Sequence, residues 1–378
     1  MIDTVPHQPF APRTPADDYA SLSSSTRLWD GTLLSDLHTP VHDLTQRARP
    51  FPLQRNYFHD QAVSESAQWL RAAVGLGPAE YERLLAEDVG GFVSWVYPDA
   101  TAGQIRALVD FHNWAVWVDD LIDRRSTLET SLSACTLLET LGATELAPFD
   151  DFYPRMRALD MDDRHGERFI TAMHLYGASS REEVEAREGR TGFSSVADYV
   201  RNRRASAAMP VYNTLTRWIS RIDLSDETLR HPLVVRLENC CNDYSMLYND
   251  AGSFVKELLA GRSEGTFVRL LSDRMDLSVQ QTLCEVIDMA AAAADDLEST
   301  SDAIESCELA RDVREQVHRY ADGLRKYVAG VNYWSNRTCR YFVGQPVMLL
   351  APISRAGDVH RLRDGIDSQP RACSHRHK

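Results

Sequence analysis

Nowhere in the 378 residues is there an apolar run near the ~20 residues needed to cross a bilayer, which excludes a membrane-spanning protein. Positive charge is also short: 41 Lys and Arg face 55 Asp and Glu, a net charge of −14 at pH 7. A surface of that sign repels nucleic acid and anionic lipid, so neither is expected as the main partner. The opening MIDTVPHQPFAPRTPADD has no basic start followed by an apolar stretch, so no secretory signal is expected. Seven cysteines are scattered, with only Cys240 and Cys241 adjacent and no CxxC spacing. No disulfide framework is expected, and the expected compartment is the cytoplasm. Alternating strand patterns and Asn-Gly or Asp-Gly hairpin turns are missing too, which argues against a β fold.

Proline is unevenly spread. Seven of 16 fall within the first 52 residues, alongside SLSSST at 21–26, whereas only Pro210 and Pro232 occur between Pro154 and Pro346. A stretch that long with so few breakers reads as helices joined by short turns. The 43% of hydrophobic residues suffices for a sizeable core, and in VRLLSDRMDLSVQQTLCEVIDMAAAA (268–293) apolar positions recur at threes and fours. The expectation is one all-α domain over 55–350, between a flexible arm at 1–54 and a flexible tail at 351–378. Helices are expected near 102–124, 131–142, 151–176, 194–220, 227–260, 277–303 and 307–341.

Two acidic constellations stand out. In Asp119-Asp120-Leu121-Ile122-Asp123, three carboxylates crowd one helix face at i,i+3 and i,i+4 spacing. Such like charges destabilise a helix unless something neutralises them, and Mg²⁺ does so with one or two carboxylates plus phosphate oxygens. Taken alone, a solvated acidic helix end explains this cluster equally well. The second constellation, YNDAGSFVKE, spaces Asn249, Ser253 and Glu257 at i, i+4, i+8, within roughly 80° on one face. An amide, a hydroxyl and a carboxylate in a row form an all-oxygen ligand set for a hard cation, with Lys256 beside it.

These residues resemble a known family. DDLID (119–123) resembles the DDxxD motif of class I terpene synthases, and Asn249-Asp250-x-x-Ser253-x-x-Lys256-Glu257 resembles their NSE motif in its bacterial and fungal form. About 125 residues separate the two, as in the family. Arg340-Tyr341 resembles the family's RY pair, with Trp334 seven residues earlier, and Arg203 lies 46 residues before Asn249, where the family places a diphosphate-sensing arginine. The resemblance covers residues 100–341 and implies a single-domain helical bundle around a central cavity. It implies a cyclase that ionises a linear isoprenyl diphosphate with three Mg²⁺ ions and releases diphosphate. Asp119 and Asp123 would hold two ions, with Asp120 a less direct ligand; Asn249, Ser253 and Glu257 would hold the third. Arg203, Lys256, Arg340 and Tyr341 would bind the diphosphate, and Ala207 would aim a carbonyl into the site at a helix break near Pro210. The diphosphate would itself serve as final base, so no dedicated His or Glu is required.

Farnesyl diphosphate is the expected substrate, with geranylgeranyl diphosphate as the alternative. A prenyltransferase joining two isoprenoid units and a non-catalytic helical scaffold are the rival readings, and a monomer or homodimer is expected. Helix projection places His112, Ala115 and Val116 on the face of Asp119 and turns Trp114 and Trp117 away. Trp334, seven residues before Tyr341, is expected to share its face and to shield a carbocation. Two lookalikes are set aside: Asp160-Met161-Asp162-Asp163 matches DxDD but reads as a surface turn, and Asp295-Asp296-Leu297-Glu298 reads as an exposed helix patch.

Overall fold

A computed structural model of the chain describes residues 27–38, 40, 44, 51–128, 143–187, 189 and 192–341. Among the described residues the fold is all-α; the one β feature is an isolated antiparallel bridge between Arg27 and Leu33. The helices are α1 His59–Val74, α2 Pro78–Glu87, α3 Val89–Val96, α4 Ala102–Leu128, α5 Ala143–Ala158, α6 Asp163–Arg187 and α7 Val196–Ser206. There follow α8 Met209–Ile219, α9 Asp226–Leu229, α10 Pro232–Leu259, α11 Phe267–Met275, α12 Val279–Asp302 and α13 Arg311–Ser335. No described helix is long and apolar enough to cross a membrane.

Local chemistry sets the helix starts. Ser195, Thr266 and Ser278 each accept a backbone N–H of the first turn, and Gln281 completes a capping box with Ser278. Pro232 opens α10 where its missing N–H costs nothing, which turns one of the two central prolines into a start signal. The other, Pro210, sits in the first turn of α8. The expected 194–220 helix therefore breaks after Ser206, with Ala208 in the left-handed region at φ 57°.

Other expectations need correction. The expected 151–176 helix is two helices, because the DMDD stretch is the turn between them: Asp160 takes φ 64° and Asp162 accepts the His165 N–H that starts the next helix. The expected 307–341 helix stops at Ser335. Helices α1 to α3 were not anticipated, and the expected 131–142 helix lies outside the described residues. Part of the N-terminal arm is packed rather than loose: Trp29 meets Phe254 edge-on at 6.1 Å and lies under the Arg269 guanidinium, while Asp30 accepts the Val279 N–H. Cys240, Cys241, Cys307 and Cys339 are free, and Cys284 is disulfide-bonded, where no disulfide framework was expected.

The long α10 forms the centre, packed on α12 and α13, while α3 lies across α13 and against α4. Arg217 on α8, Glu238 on α10 and Tyr320 on α13 form a buried polar tie that joins three helices. The crossing of α3 and α13 depends on Gly330, where an added Cβ would lie 2.6 Å from the Trp95 carbonyl carbon. Because that neighbour is backbone, it cannot rotate away. Gly330→Ala is expected to destabilise the fold by about 1–3 kcal/mol, read as a lower urea midpoint. A wild-type midpoint would contradict this account of the crossing.

Candidate active site

Helices α3, α4, α6, α7, α8, α10 and α13 surround a cavity of ≈ 250 Å³. One helix face of α4 supplies His112, Ala115, Val116 and Asp119 to its wall, as projected. Trp114 points into the core instead, 5.5 Å and 5.4 Å from the rings of Phe149 and Phe152, and Trp117 does not line the cavity. The periodicity that divides these residues is the ordinary helical one.

The two acidic constellations meet at this cavity. Asp119 lines it and accepts the Tyr176 hydroxyl at 3.0 Å. From the facing helix α10, Asn249, Ser253 and Glu257 line it along one stripe. Asp120 faces elsewhere, receiving Arg340 at 2.7 Å with Arg83 at 3.6 Å. Burial alone would raise the Asp120 carboxyl, but Arg340, followed by Lys256 and Arg83, holds it well below the usual carboxylate range. Asp123 follows on α4, and its side chain lies outside the described residues.

Each cation expected to meet a diphosphate has an acidic partner. Arg203, in the last turn of α7, donates to Asp250 at 2.8 Å and to Asn249 Oδ1 at 2.9 Å, with Glu183 at 3.7 Å. Lys256 lies 3.2 Å from Glu257, which also receives Arg262 at 2.7 Å. Burial would raise the Glu257 carboxyl, yet Lys256 and Arg262 together bring it down, so it is an anion at neutral pH. Arg340 bridges Glu87 at 2.8 Å and Asp120 at 2.7 Å. Tyr341 accepts the Asn249 amide N–H at 2.8 Å, tying the RY pair to the oxygen stripe.

The donor set fits a hard divalent cation. Asp119, Asn249, Ser253 and Glu257 offer only oxygen, with no thiolate or imidazole among them. Among the described residues, no group of three or more His, Cys, Asp and Glu is placed to hold a metal. Two of the three α10 positions are an amide and a hydroxyl, so the set is not a cluster of acids and imidazoles.

Residues 110–296 match the family model described as terpene synthase family 2, C-terminal metal binding, a span that includes both constellations. Sesquiterpene synthase 6 of Postia placenta is 25% identical over 302 residues, covering 77% of this chain and 87% of that protein. Residues 110–296 belong to the terpene synthase family. A second relative is the 4-epi-cubebol synthase ((2E,6E)-farnesyl diphosphate cyclizing) of Streptosporangium roseum, 25% identical over 304 residues, 77% of this chain and 88% of that one. Among solved structures, germacradien-4-ol synthase from Streptomyces citricolor superposes with a TM-score of 0.60 at 23% identity, covering 77% of this chain and 97% of that chain. It shares the all-α class I fold.

Within this terpene synthase fold, the expectation for Trp334 and Tyr341 needs correction. Trp334 and Tyr341 do not share a helix face, because α13 ends at Ser335 and a turn follows. They meet nonetheless, edge-on with ring centroids 5.7 Å apart, because the turn folds back over the helix end. Trp334 is fixed by its indole N–H on the Asp88 carbonyl at 2.8 Å. Ala207 caps the C-terminus of α7 and lines the cavity.

Several site residues went unnoticed in the sequence. Asp250 looks like part of the metal motif, but it is buried and receives both Arg203 and the Tyr199 hydroxyl, so it positions the arginine. Glu87 plays the same part for Arg340. Phe92, Tyr212 and Tyr327 complete an aromatic wall with Trp334, with Phe92 5.3 Å from Trp334 and 6.0 Å from both tyrosines. Phe92 comes from α3, where VGGFVSWV has no periodic signal that separates a cavity face from a core face.

Proposed function

We propose that this chain is a Mg²⁺-dependent cyclase that converts farnesyl diphosphate to a cyclic sesquiterpene with release of diphosphate. The observation that carries this reading is the opposition of the Asn249–Ser253–Glu257 stripe to Asp119 across one cavity that is also lined by aromatic and aliphatic side chains. A polar rim and an oily interior are what a substrate with an anionic head and an isoprenoid tail requires.

Asp119 and Asp123 would hold two Mg²⁺ ions and Asn249, Ser253 and Glu257 a third, supplying the positive charge that makes diphosphate a competent leaving group. Arg203, Lys256 and Arg340 release part of their present ion pairing to the diphosphate oxygens, and Tyr341 adds its hydroxyl. Arginine suits this task because its planar fork meets two oxygens at once. Arg203 is already held by Asp250, and Arg340 by Glu87, so ordering them on the ligand costs little further side-chain entropy. As the allylic C–O bond breaks, positive charge remains on the hydrocarbon. Phe92, Trp334 and Tyr327 then present ring faces and edges that stabilise it without offering a lone pair strong enough to trap it. The buried wall excludes water while the chain folds on itself.

Chain length follows from the space available. A cavity of ≈ 250 Å³ lies at the small end of ligand sites, which run from ~300 to 1,000 Å³. Ala115 and Val116 leave room on α4, but Phe92 stacks over His112 on the same face at 4.7 Å and narrows it. This favours a C15 tail over the C20 alternative. The condensing reading is disfavoured because Asp295 and Asp296 are exposed on α12, with Asp296 engaged by Arg236, so among the described residues no second acidic motif faces the cavity.

The test is incubation with geranyl, farnesyl and geranylgeranyl diphosphates plus Mg²⁺, followed by mass analysis of extracted products. Cyclic C15 products from farnesyl diphosphate are expected as the main output. Turnover that requires isopentenyl diphosphate would overturn the reading in favour of chain elongation.

A further inference from the structure

The wall of the cavity contains one polar pair that neither the metal stripe nor the diphosphate cations use. His112 lies on α4 seven residues before Asp119, roughly 10 Å nearer the start of the helix by its rise per residue. Its Nδ1 is 2.6 Å from the Tyr212 hydroxyl, which comes from α8 just past the break at Ala208. Both residues are buried and both line the cavity. Phe92 stacks on the imidazole, at 4.7 Å and 23°, and Phe111 and Tyr327 flank Tyr212 at 6.3 Å and 5.4 Å. The pair is therefore held by aromatic packing on several sides in a place where an apolar residue would serve packing alone.

The direction of the hydrogen bond can be assigned. Burial, with the Arg340 charge behind it, pushes His112 down to about 3, so the imidazole is neutral at physiological pH. Burial also raises the Tyr212 phenol above its ordinary range, with Tyr341 and Asp119 acting the same way, so it carries its proton. Among the described residues, His112 Nδ1 is the one acceptor within reach of that proton. Tyr212 therefore donates to Nδ1, and the free lone pairs of its oxygen are left for the cavity.

We propose that Tyr212 and His112 form the proton exit that ends the cyclisation. The inference rests on the cyclase reading above. In the final cation, a C–H bond beside the cationic carbon gives its electron pair to a new C=C bond. Its proton passes to the Tyr212 oxygen while the Tyr212 proton moves along the 2.6 Å bond to His112 Nδ1. Tyrosine ends neutral, histidine ends as imidazolium, and the positive charge of the substrate has moved onto the imidazole. A buried imidazolium is unstable in this place, so it gives its proton to water that enters as the product leaves, and the pair is reset. Because the acceptor is fixed, it selects which hydrogen is lost, and so which alkene forms.

The experiment compares wild type with Tyr212→Phe, His112→Phe and the double variant, using farnesyl diphosphate and Mg²⁺, with products counted per diphosphate released. Each single variant is expected to lower the share of the principal wild-type product at least tenfold, in favour of isomeric alkenes or alcohols. The double variant is expected to shift the profile no further, because the pair acts as one unit. Wild-type product shares in a folded Tyr212→Phe would overturn the proposal, as would single-variant shifts that differ and add. If His112→Phe fails to fold, Tyr212→Phe and His112→Asn carry the same comparison. No diphosphate release by wild type with any isoprenyl diphosphate would instead refute the cyclase reading, and the proton exit with it.

Discussion

Asn249→Ala and Glu257→Gln are each expected to reduce product formation by about 10²–10³-fold or more while leaving the helical circular dichroism unchanged. Both side chains line the cavity from α10, and neither is a core contact that the fold depends on. The α10 ladder is backbone, so removing an amide or neutralising one carboxylate leaves it intact. Glu257→Gln does leave Lys256 and Arg262 without their shared anion, at 3.2 Å and 2.7 Å in the native chain. At 15% and 13% exposure these cations are largely buried, so losing their anion also costs stability, about 1–3 kcal/mol, read as a lower denaturant midpoint with the helices intact. What is lost is the oxygen set that makes a strongly anionic head group tolerable in a protein of net charge −14. Wild-type-like cyclisation by both variants would remove α10 from the metal site.

Arg340→Met is expected to damage both stability and activity. Arg340 is buried and joins two carboxylates on different helices, Glu87 on α2 and Asp120 on α4. Removing it leaves two acids facing each other in a largely desolvated place. Breaking a buried pair in this way typically costs about 3–5 kcal/mol, read as a lower denaturant midpoint. The pH dependence has a definite sign. The depressed Asp120 carboxyl contributes stability to the wild type above the unfolded carboxylate value of ~3.9, and that contribution is lost as pH falls through its folded value. The deficit of the variant should therefore be full at pH 7 and shrink on acidification below about pH 4. Adding Asp120→Asn should recover part of the midpoint but none of the turnover, since the diphosphate contact is still missing. A deficit that does not change between pH 7 and pH 3 would contradict the assigned pairing.

How much of this was legible in the sequence varies by feature. Helix-face geometry reads well because its period is fixed by the backbone: His112, Ala115, Val116 and Asp119 share the cavity wall, while Trp114 is in the core. The same holds for Asn249, Ser253 and Glu257. Extending that period past its helix fails, as with Trp334 and Tyr341, whose contact is made by a turn after Ser335. The DMDD run was readable as a turn, but its consequence for helix count was missed, because a left-handed Asp160 interrupts the pattern over one residue. Partner choice is not local information. Nothing in NDxxSxxKE shows that Asp250, beside Asn249 in the cavity wall, is the more buried of the two and is taken up by Arg203 and Tyr199. Phe92 and Glu87 lie in a segment without motif or clear periodicity; the packing of α3 against α4 and α13 brings Phe92 to the site, and Thr338 and Arg340 tie Glu87 to it.

The central claim is that the stripe on α10 and Asp119 together turn an acidic cavity into a site for an isoprenyl diphosphate. It is tested most directly by following diphosphate release and product formation from farnesyl diphosphate, with Mg²⁺ and with the metal removed by chelation. The account predicts a cyclic C15 product formed in step with diphosphate, abolished by chelation and restored by added Mg²⁺. Diphosphate release at the same rate with and without Mg²⁺, or no release in its presence, would contradict it.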